Sequence, residues 1–309
     1  MTTDFNWPDG KRFAFTVFDD TDASTVGNVA RVYTLLEELG FRTTKSVWPL
    51  PGTKQGRFAG DTCSNPTYCC WLLKLQSAGF EIGYHNATYH TSTREQTASA
   101  LETFRRMFGH DPQCMANHTG CEESIYWGEH RLTGFHQTLY KMMRPHRNGG
   151  FRGHVEGDAM FWGDYCKARI KYVRNFVFGD INTLKLCPEM PYHDYDRPFV
   201  NYWFASSEGA CVKRFNACIA EEDQDRLEEE GGACVMYTHF ASGFQENGGV
   251  DSRFSTLIRR LAKKNGWFVP VSTLLDHLLK QRPEQNISPA ERARLERHWI
   301  MQKLRVGRT

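Results

Sequence analysis

Phe13-Ala-Phe-Thr-Val-Phe-Asp-Asp-Thr-Asp22 is the stretch on which the reading of the fold turns. Phe13, Phe15, Val17 and Phe18 form a short apolar run bounded by polar residues, the pattern of a buried strand. The run ends in two adjacent carboxylates, Asp19 and Asp20. Neighbours on a strand point to opposite faces, but a pair at the strand's end, where the chain turns, can take two roles in one pocket. One carboxylate can then hold a metal while the other moves protons.

Downstream, apolar runs alternate with helical patterns. Val29, Val32, Tyr33, Leu36 and Leu39 recur at helical spacing and Gly40 stops them. Thr43 to Val47 reads as a strand, Asn65-Pro66 opens a helix to about Ala78, and Phe80 to Gly83 is a third strand. Ser92 and Glu95 predict a capping box for the helix carrying Leu101, Phe104 and Met107, and Cys114 to Ala116 is a fourth strand. Such alternation predicts a parallel sheet, open or closed into a barrel, with ligands at the strands' C-terminal ends. Short helices are expected near Glu122 to Leu132 and Phe135 to Met143, then an irregular insertion at 146–198 beginning with a Gly-rich loop through Asp158. Strands follow at Lys171 to Phe178, Phe199 to Phe204, Ala233 to Tyr237 and Trp267 to Val269, with helices after Ser207, at 253–263 and from Ser272.

The chain has 309 residues, 40% of them hydrophobic, enough to fill one large α/β barrel spanning residues 1–285. Residues 286–309 read as a C-terminal basic amphipathic helix docked through Leu295, Trp299 and Leu304, with a surface for a second subunit or an anionic membrane as the sharper alternative. A net charge of +2 with both signs interspersed gives no reason to expect nucleic acid, and no run approaches a membrane span. The first residues lack the apolar core of a signal peptide, and the ten cysteines form no Cys-x-x-Cys pair. Reduced thiols and a cytoplasmic location are expected.

Four strand ends carry candidate chemistry: Asp19-Asp20, Tyr84-His85, Asn117-His118 and Thr238-His239. Converging at one barrel rim, Asp and neutral imidazoles suit Zn²⁺ or a related divalent ion with a position left for water.

These residues resemble the polysaccharide deacetylases of the NodB homology group, carbohydrate esterase family 4. The likeness rests on Val17-Phe18-Asp19-Asp20-Thr21, on Glu81-Ile82-Gly83 followed by His85-Asn-Ala-Thr-Tyr-His90, on Met236-Tyr-Thr-His239, and on Gly266-Trp-Phe-Val-Pro-Val-Ser-Thr-Leu-Leu-Asp-His277. It implies a distorted (β/α)7-type barrel and removal of the N-acetyl group of an amino sugar or glycan, as in surface-polysaccharide metabolism. One divalent ion is implied, Zn most naturally, with Co, Ni or Mn as substitutes. By the resemblance Asp19 is the catalytic base, Asp20 a metal ligand with His85, and His239 the general acid; a backbone N–H such as that of Thr21 or Asp22 would help hold the oxyanion. His85 and His90 stand five apart where the family has four, so His90 and His118 both remain possible third ligands. The family's Arg-x-Pro motif is replaced by Met115-Ala-Asn-His-Thr119, and Arg152 is the stand-in for its Arg. Trp162 and Asp164 stand in for a fourth motif, and Tyr84 and Asn117 join them as substrate-binding candidates. Rival readings are hydrolysis of an N-formyl group or a cyclic ureide on the same fold, and a catalytically silent sugar-binding protein.

Overall fold

The computed structural model describes residues 5–53, 56, 58–143, 150–246, 248–282 and 286–306. Its first strand, β1 (Phe13–Asp19), is buried along its whole length, as the apolar run requires. Parallel strands follow it: β2 (Thr44–Val47), β3 (Glu81–Tyr84), β4 (Cys114–Met115), β5 (Tyr172–Phe178), β6 (Tyr202–Gly209) and β7 (Ala233–Thr238). β7 returns to pair with β1 from Ala14↔Ala233 to Asp19↔Thr238, closing a seven-stranded barrel. A hairpin of β8 (Gln245–Glu246) and β9 (Gly249–Val250) stands apart, and β10 (Gly266–Trp267) adds to β1 beside the seam.

Helices alternate with the strands and cover the barrel: α1 (Val26–Glu38), α2 (Pro66–Ser77), α3 (Arg94–Phe108), α4 (Gly134–Met143), α5 (Gly163–Arg169), α6 (Thr183–Leu186), α7 (Val212–Cys218), α8 (Glu221–Glu230), α9 (Ser252–Ala262), α10 (Val271–Gln281) and α11 (Pro289–Val306). α1 buries Val29, Val32, Tyr33 and Leu36 on the face that the spacing predicts. The box opening α3 is one residue later than expected: the Thr93 hydroxyl accepts from Gln96 N–H, and the Gln96 side chain accepts from Thr93 N–H. Ser288 and Glu291 make the same reciprocal pair ahead of α11.

Three local expectations change. Residues 122–132 form only a short 3-10 turn, Gly128–Arg131. The Asn117 side chain occupies both the N–H and C=O of Ile125, and Tyr126 and Gly128 take positive φ, so a helix there has neither free backbone groups nor compatible torsions. The strand placed at Phe199–Phe204 is β6 instead, which runs on through Ser206 and Ser207 because β7 pairs beside it. In α11, Leu295, Trp299 and Ile300 enter the common core, but Leu304 is 63% exposed.

The Gly-rich loop lies partly outside the described residues, at Asn148 and Gly149. Its later part is pressed against the chain around Glu123. A Cβ on Gly153 would lie 1.9 Å from the Glu123 carbonyl oxygen, so only glycine fits there. All ten cysteines are free thiols, most of them buried. No described helix is long and apolar enough to cross a membrane.

Candidate active site

Parallel strands bring their C-terminal ends to one rim, so residues distant in sequence meet there. The ladder sets the level of each: Tyr84 pairs with Met115 and Met115 with Val173. His85, the residues after β4, and Arg174 are therefore level with one another.

The two neighbouring acids separate, as strand alternation dictates. Asp19 points away from the cavity. Its carboxylate accepts from the Tyr33 hydroxyl at 2.9 Å and the Phe240 N–H at 2.8 Å, and pairs with the Lys45 ammonium at 2.9 Å. Lys45 reaches it because Asp19 and Lys45 are partners in the β1–β2 ladder. Asp20 faces the barrel mouth, where Arg174 grips it with two parallel hydrogen bonds, 2.9 Å to Oδ1 and 2.6 Å to Oδ2. Burial alone would raise the Asp20 pKa, but Arg174, followed by His85, brings it below the usual carboxylate value. Arg174 also lies over the rings of Tyr237 and Phe18.

Beyond Asp20 the turn carries Asp22 onto the same side. Asp22 Oδ1 stands 3.1 Å from His85 Nε2 and 3.5 Å from His118 Nε2, and Oδ2 is 3.5 Å from His239 Nε2. Among the described residues, Asp22, His85 and His118 form the one group of His, Cys and acidic side chains with ligand atoms close enough to share an ion, all within 4.8 Å of one another. Ligands bound at ~2.05 Å in tetrahedral geometry lie about 3.3 Å apart, and the two Asp22 distances bracket that value.

The donors also suit a metal chemically. His85 Nδ1 donates to the Ala116 carbonyl at 2.8 Å, which leaves the Nε2 lone pair facing Asp22. His118 Nε2 is buried with no hydrogen-bond partner among the described residues, and burial, reinforced by His85, holds its pKa down to about 4, so the ring is neutral at pH 7. Its Nδ1 lies 3.2 Å from the Gly120 N–H, so the ring must shift its proton to Nδ1 before Nε2 can ligate. Burial would raise the Asp22 pKa, but the neighbouring His239 and then His85 pull it well below the usual range.

His239 is held by its Nδ1, which donates to the Ala210 carbonyl at 2.9 Å. Burial works to lower its pKa, yet Asp22 and then Asp20 outweigh that and raise it to about 9. The folded value thus exceeds the unfolded one, about 6.5. In metal-free protein this contribution is expected in full below about pH 6.5 and lost as pH rises through about 9. Urea unfolding of chelator-treated protein at about pH 6 and about pH 9.5 measures it, with His239→Gln as control. Wild type no more stable at the lower pH than the control predicts would contradict the assignment.

Asp22 and His85 of the cluster, with Asp20 and His239, line a cavity of about 460 Å³. Asp20, Asp22, His85, Asn117, Arg174, Tyr237 and His239 form its inner wall, and Trp127, Arg131, Tyr140, Trp299 and Lys303, from the 3-10 turn, α4 and α11, border the rest. The closest approach of His85 Nε2 to Asp20 is 4.0 Å, so those two share one site.

No protein-family model matches the sequence, and no curated protein matches it either. Solved structures do. A protein from Mycobacterium smegmatis described as a polysaccharide deacetylase overlaps 92% of this chain and 96% of its own at 13% identity, with a TM-score of 0.52. PuuE allantoinase overlaps 90% and 93% at 12% identity, with a TM-score of 0.54. A Pseudomonas aeruginosa PAO1 protein, also described as a polysaccharide deacetylase, overlaps 90% and 95% at 12% identity, with a TM-score of 0.50. The chain has the polysaccharide-deacetylase fold.

Within that fold, several residues expected at the site lie elsewhere. Asp19 is spent on Lys45, Tyr33 and the Phe240 amide. His90 turns away, its Nε2 accepting from Thr53 N–H at 3.0 Å, because Asn86 takes a positive φ of 64° that breaks any helical path from His85. Arg152 pairs with Glu122 and Asp158 at a side-chain exposure of 42%. Tyr84 is packed between Phe104 and Trp162, and Trp162 donates its indole N–H to the Glu123 carbonyl. Asp164 forms a bidentate pair with Arg94. Asn117 does border the cavity, with its amide committed to Ile125. Two residues of the site were not foreseen as side chains, Asp22 and Arg174. The visible signal for Arg174 was a cation inside the apolar run Tyr172-Val-Arg-Asn-Phe-Val-Phe178, which must find a buried acid.

Proposed function

We propose that this chain is a metal-dependent hydrolase of an amide C–N bond, acting on the N-acetyl group of an amino sugar. The observation that carries the reading is the Asp20–Arg174 pair set beside the Asp22, His85 and His118 cluster, with His239 across it. Asp22, His85 and His118 would hold the ion. When bound, a divalent cation lowers the pKa of water and polarises an acyl oxygen. Asp20, kept ionised by Arg174, takes the proton of the attacking water, and the two hydrogen bonds from Arg174 hold its carboxylate in place. His239, kept protonated by its acidic neighbours, donates to the departing amine. The roles thus fall on Asp20 and Asp22, two apart, where the family resemblance put them on Asp19 and Asp20.

A cavity of about 460 Å³, closed on one side by α11, suits a small molecule better than a long polymer. Shared fold with an allantoinase keeps a ureide as the second reading. The full chain, purified without chelator and loaded with Zn²⁺, Co²⁺, Ni²⁺ or Mn²⁺, is assayed for acetate release from N-acetyl sugars and for opening of cyclic ureides. Acetate release that chelator abolishes and metal restores is the expected result. Ureide opening alone selects the second reading, and turnover indifferent to chelator sinks both.

A further inference from the structure

Among the described residues, the wall of the cavity carries a cation with no carboxylate within ion-pair distance. Arg131, at the end of the 3-10 turn, borders the same cavity as Asp20, Asp22 and His239. Its guanidinium stacks on the Trp127 ring at 3.3 Å and approaches Trp299 at 5.1 Å. Its one hydrogen bond to a described residue is a long contact, 3.4 Å from Nη1 to the Asn175 carbonyl, and its Nε is buried with no partner. Among the described residues no carboxylate oxygen lies within 4 Å of it, whereas Arg174, the other guanidinium of the cavity, is paired with Asp20 through both terminal nitrogens. Nearby, the buried Trp299 indole N–H also lacks an acceptor among the described residues.

Arg131 is half-buried, and a guanidinium drawn out of water costs free energy unless an anion meets it. Burial pulls the Arg131 pKa down to about 9, the direction expected of a cation lacking its counter-charge. A planar guanidinium backed by an indole is built for bidentate recognition of an oxyanion.

We propose that Arg131 receives an oxyanion, a carboxylate or a phosphate, carried by the same small molecule whose amide is cleaved at the Asp20–Asp22 end of the cavity. This deepens the hydrolase reading and rests on it. The substrate class becomes an acidic N-acyl compound, and a neutral N-acetyl sugar becomes a poor substrate.

The test uses the zinc-loaded full chain with three probes: N-acetylglucosamine, N-acetylmuramic acid and N-acetylglucosamine 6-phosphate. One of the two anions should exceed the neutral sugar by about 30-fold in kcat/KM, the scale of a charged hydrogen-bonded contact. Which anion is preferred separates the carboxylate from the phosphate. Arg131→Gln should erase the preference through KM with kcat nearly unchanged, and Arg131→Lys should keep part of it. Equal use of neutral and acidic probes by wild type, or a preference that survives Arg131→Gln, overturns the proposal. If no probe is hydrolysed, the deacetylase reading fails by itself and calorimetry decides the subsite. Anion binding that exceeds neutral-sugar binding and is lost in Arg131→Gln supports it; no difference, or no binding, overturns it. Should Arg131→Gln fail to fold, the wild-type comparison and Arg131→Lys decide between these outcomes.

Discussion

Asp22→Asn is expected to remove divalent-metal binding and activity together. The substitution keeps the shape of the side chain but takes away the one carboxylate facing both His85 Nε2 and His118 Nε2. Loss of an outer partner of a ligand typically costs 10–100-fold in metal affinity, so loss of the anionic ligand itself should cost at least about 100-fold, with kcat/KM falling ~1000-fold or more. The informative comparison is Asp20→Asn. Asp20 is gripped by Arg174, so that variant should bind metal nearly as well as wild type while losing kcat. Zinc titration of the two variants separates ligand from base. The reverse outcome, metal lost with Asp20 and kept without Asp22, would restore the assignment that the family resemblance implies.

The second large effect belongs to Arg174→Met. Breaking a buried, bidentate ion pair by removing one partner costs about 3–5 kcal/mol, because the other charge stays buried. The sign of the pH dependence should also change. In wild type Asp20 has a lowered pKa, so its contribution is present above the unfolded value of about 3.9 and lost as pH falls through the folded one. Without Arg174 the remaining influences include burial, the largest, which raises the pKa. Asp20 then stabilises only while protonated, and that contribution disappears as pH rises above about 4. Urea midpoints should climb from about pH 3 to about pH 6 in wild type and flatten or fall in the variant. Asp20→Leu added to Arg174→Met should recover stability without recovering turnover. A stable, active Arg174→Met protein would refute the pairing.

Much of the architecture was legible because it is local. Apolar runs of strand length, a glycine after α1 and an Asn-Pro start before α2 depend on nearby residues, and they lie where the pattern put them. Convergence of the strand ends was legible too, since alternation of strands and helices implies parallel pairing, and parallel pairing implies a common rim. The division of labour among the acids was not. Which of Asp19, Asp20 and Asp22 faces the cavity depends on the residue at which β1 stops and on the turn after it. Arg174 was hidden for a different reason: it comes from the fifth strand and meets Asp20 only through closure of the barrel, a separation of 154 residues. His90 failed on a single torsion, the positive φ at Asn86.

The surroundings of Asp19 carry a practical consequence. Its carboxylate ties together a hydroxyl from α1, an ammonium from β2 and an amide just past β7, at the seam where the first and last strands of the ring join. Taking it away should spring that joint and shift the mouth of the barrel. A turnover screen would then score position 19 as though a reagent had been deleted, when the damage is mechanical; a melting curve run beside the assay tells the hinge pin from the tool.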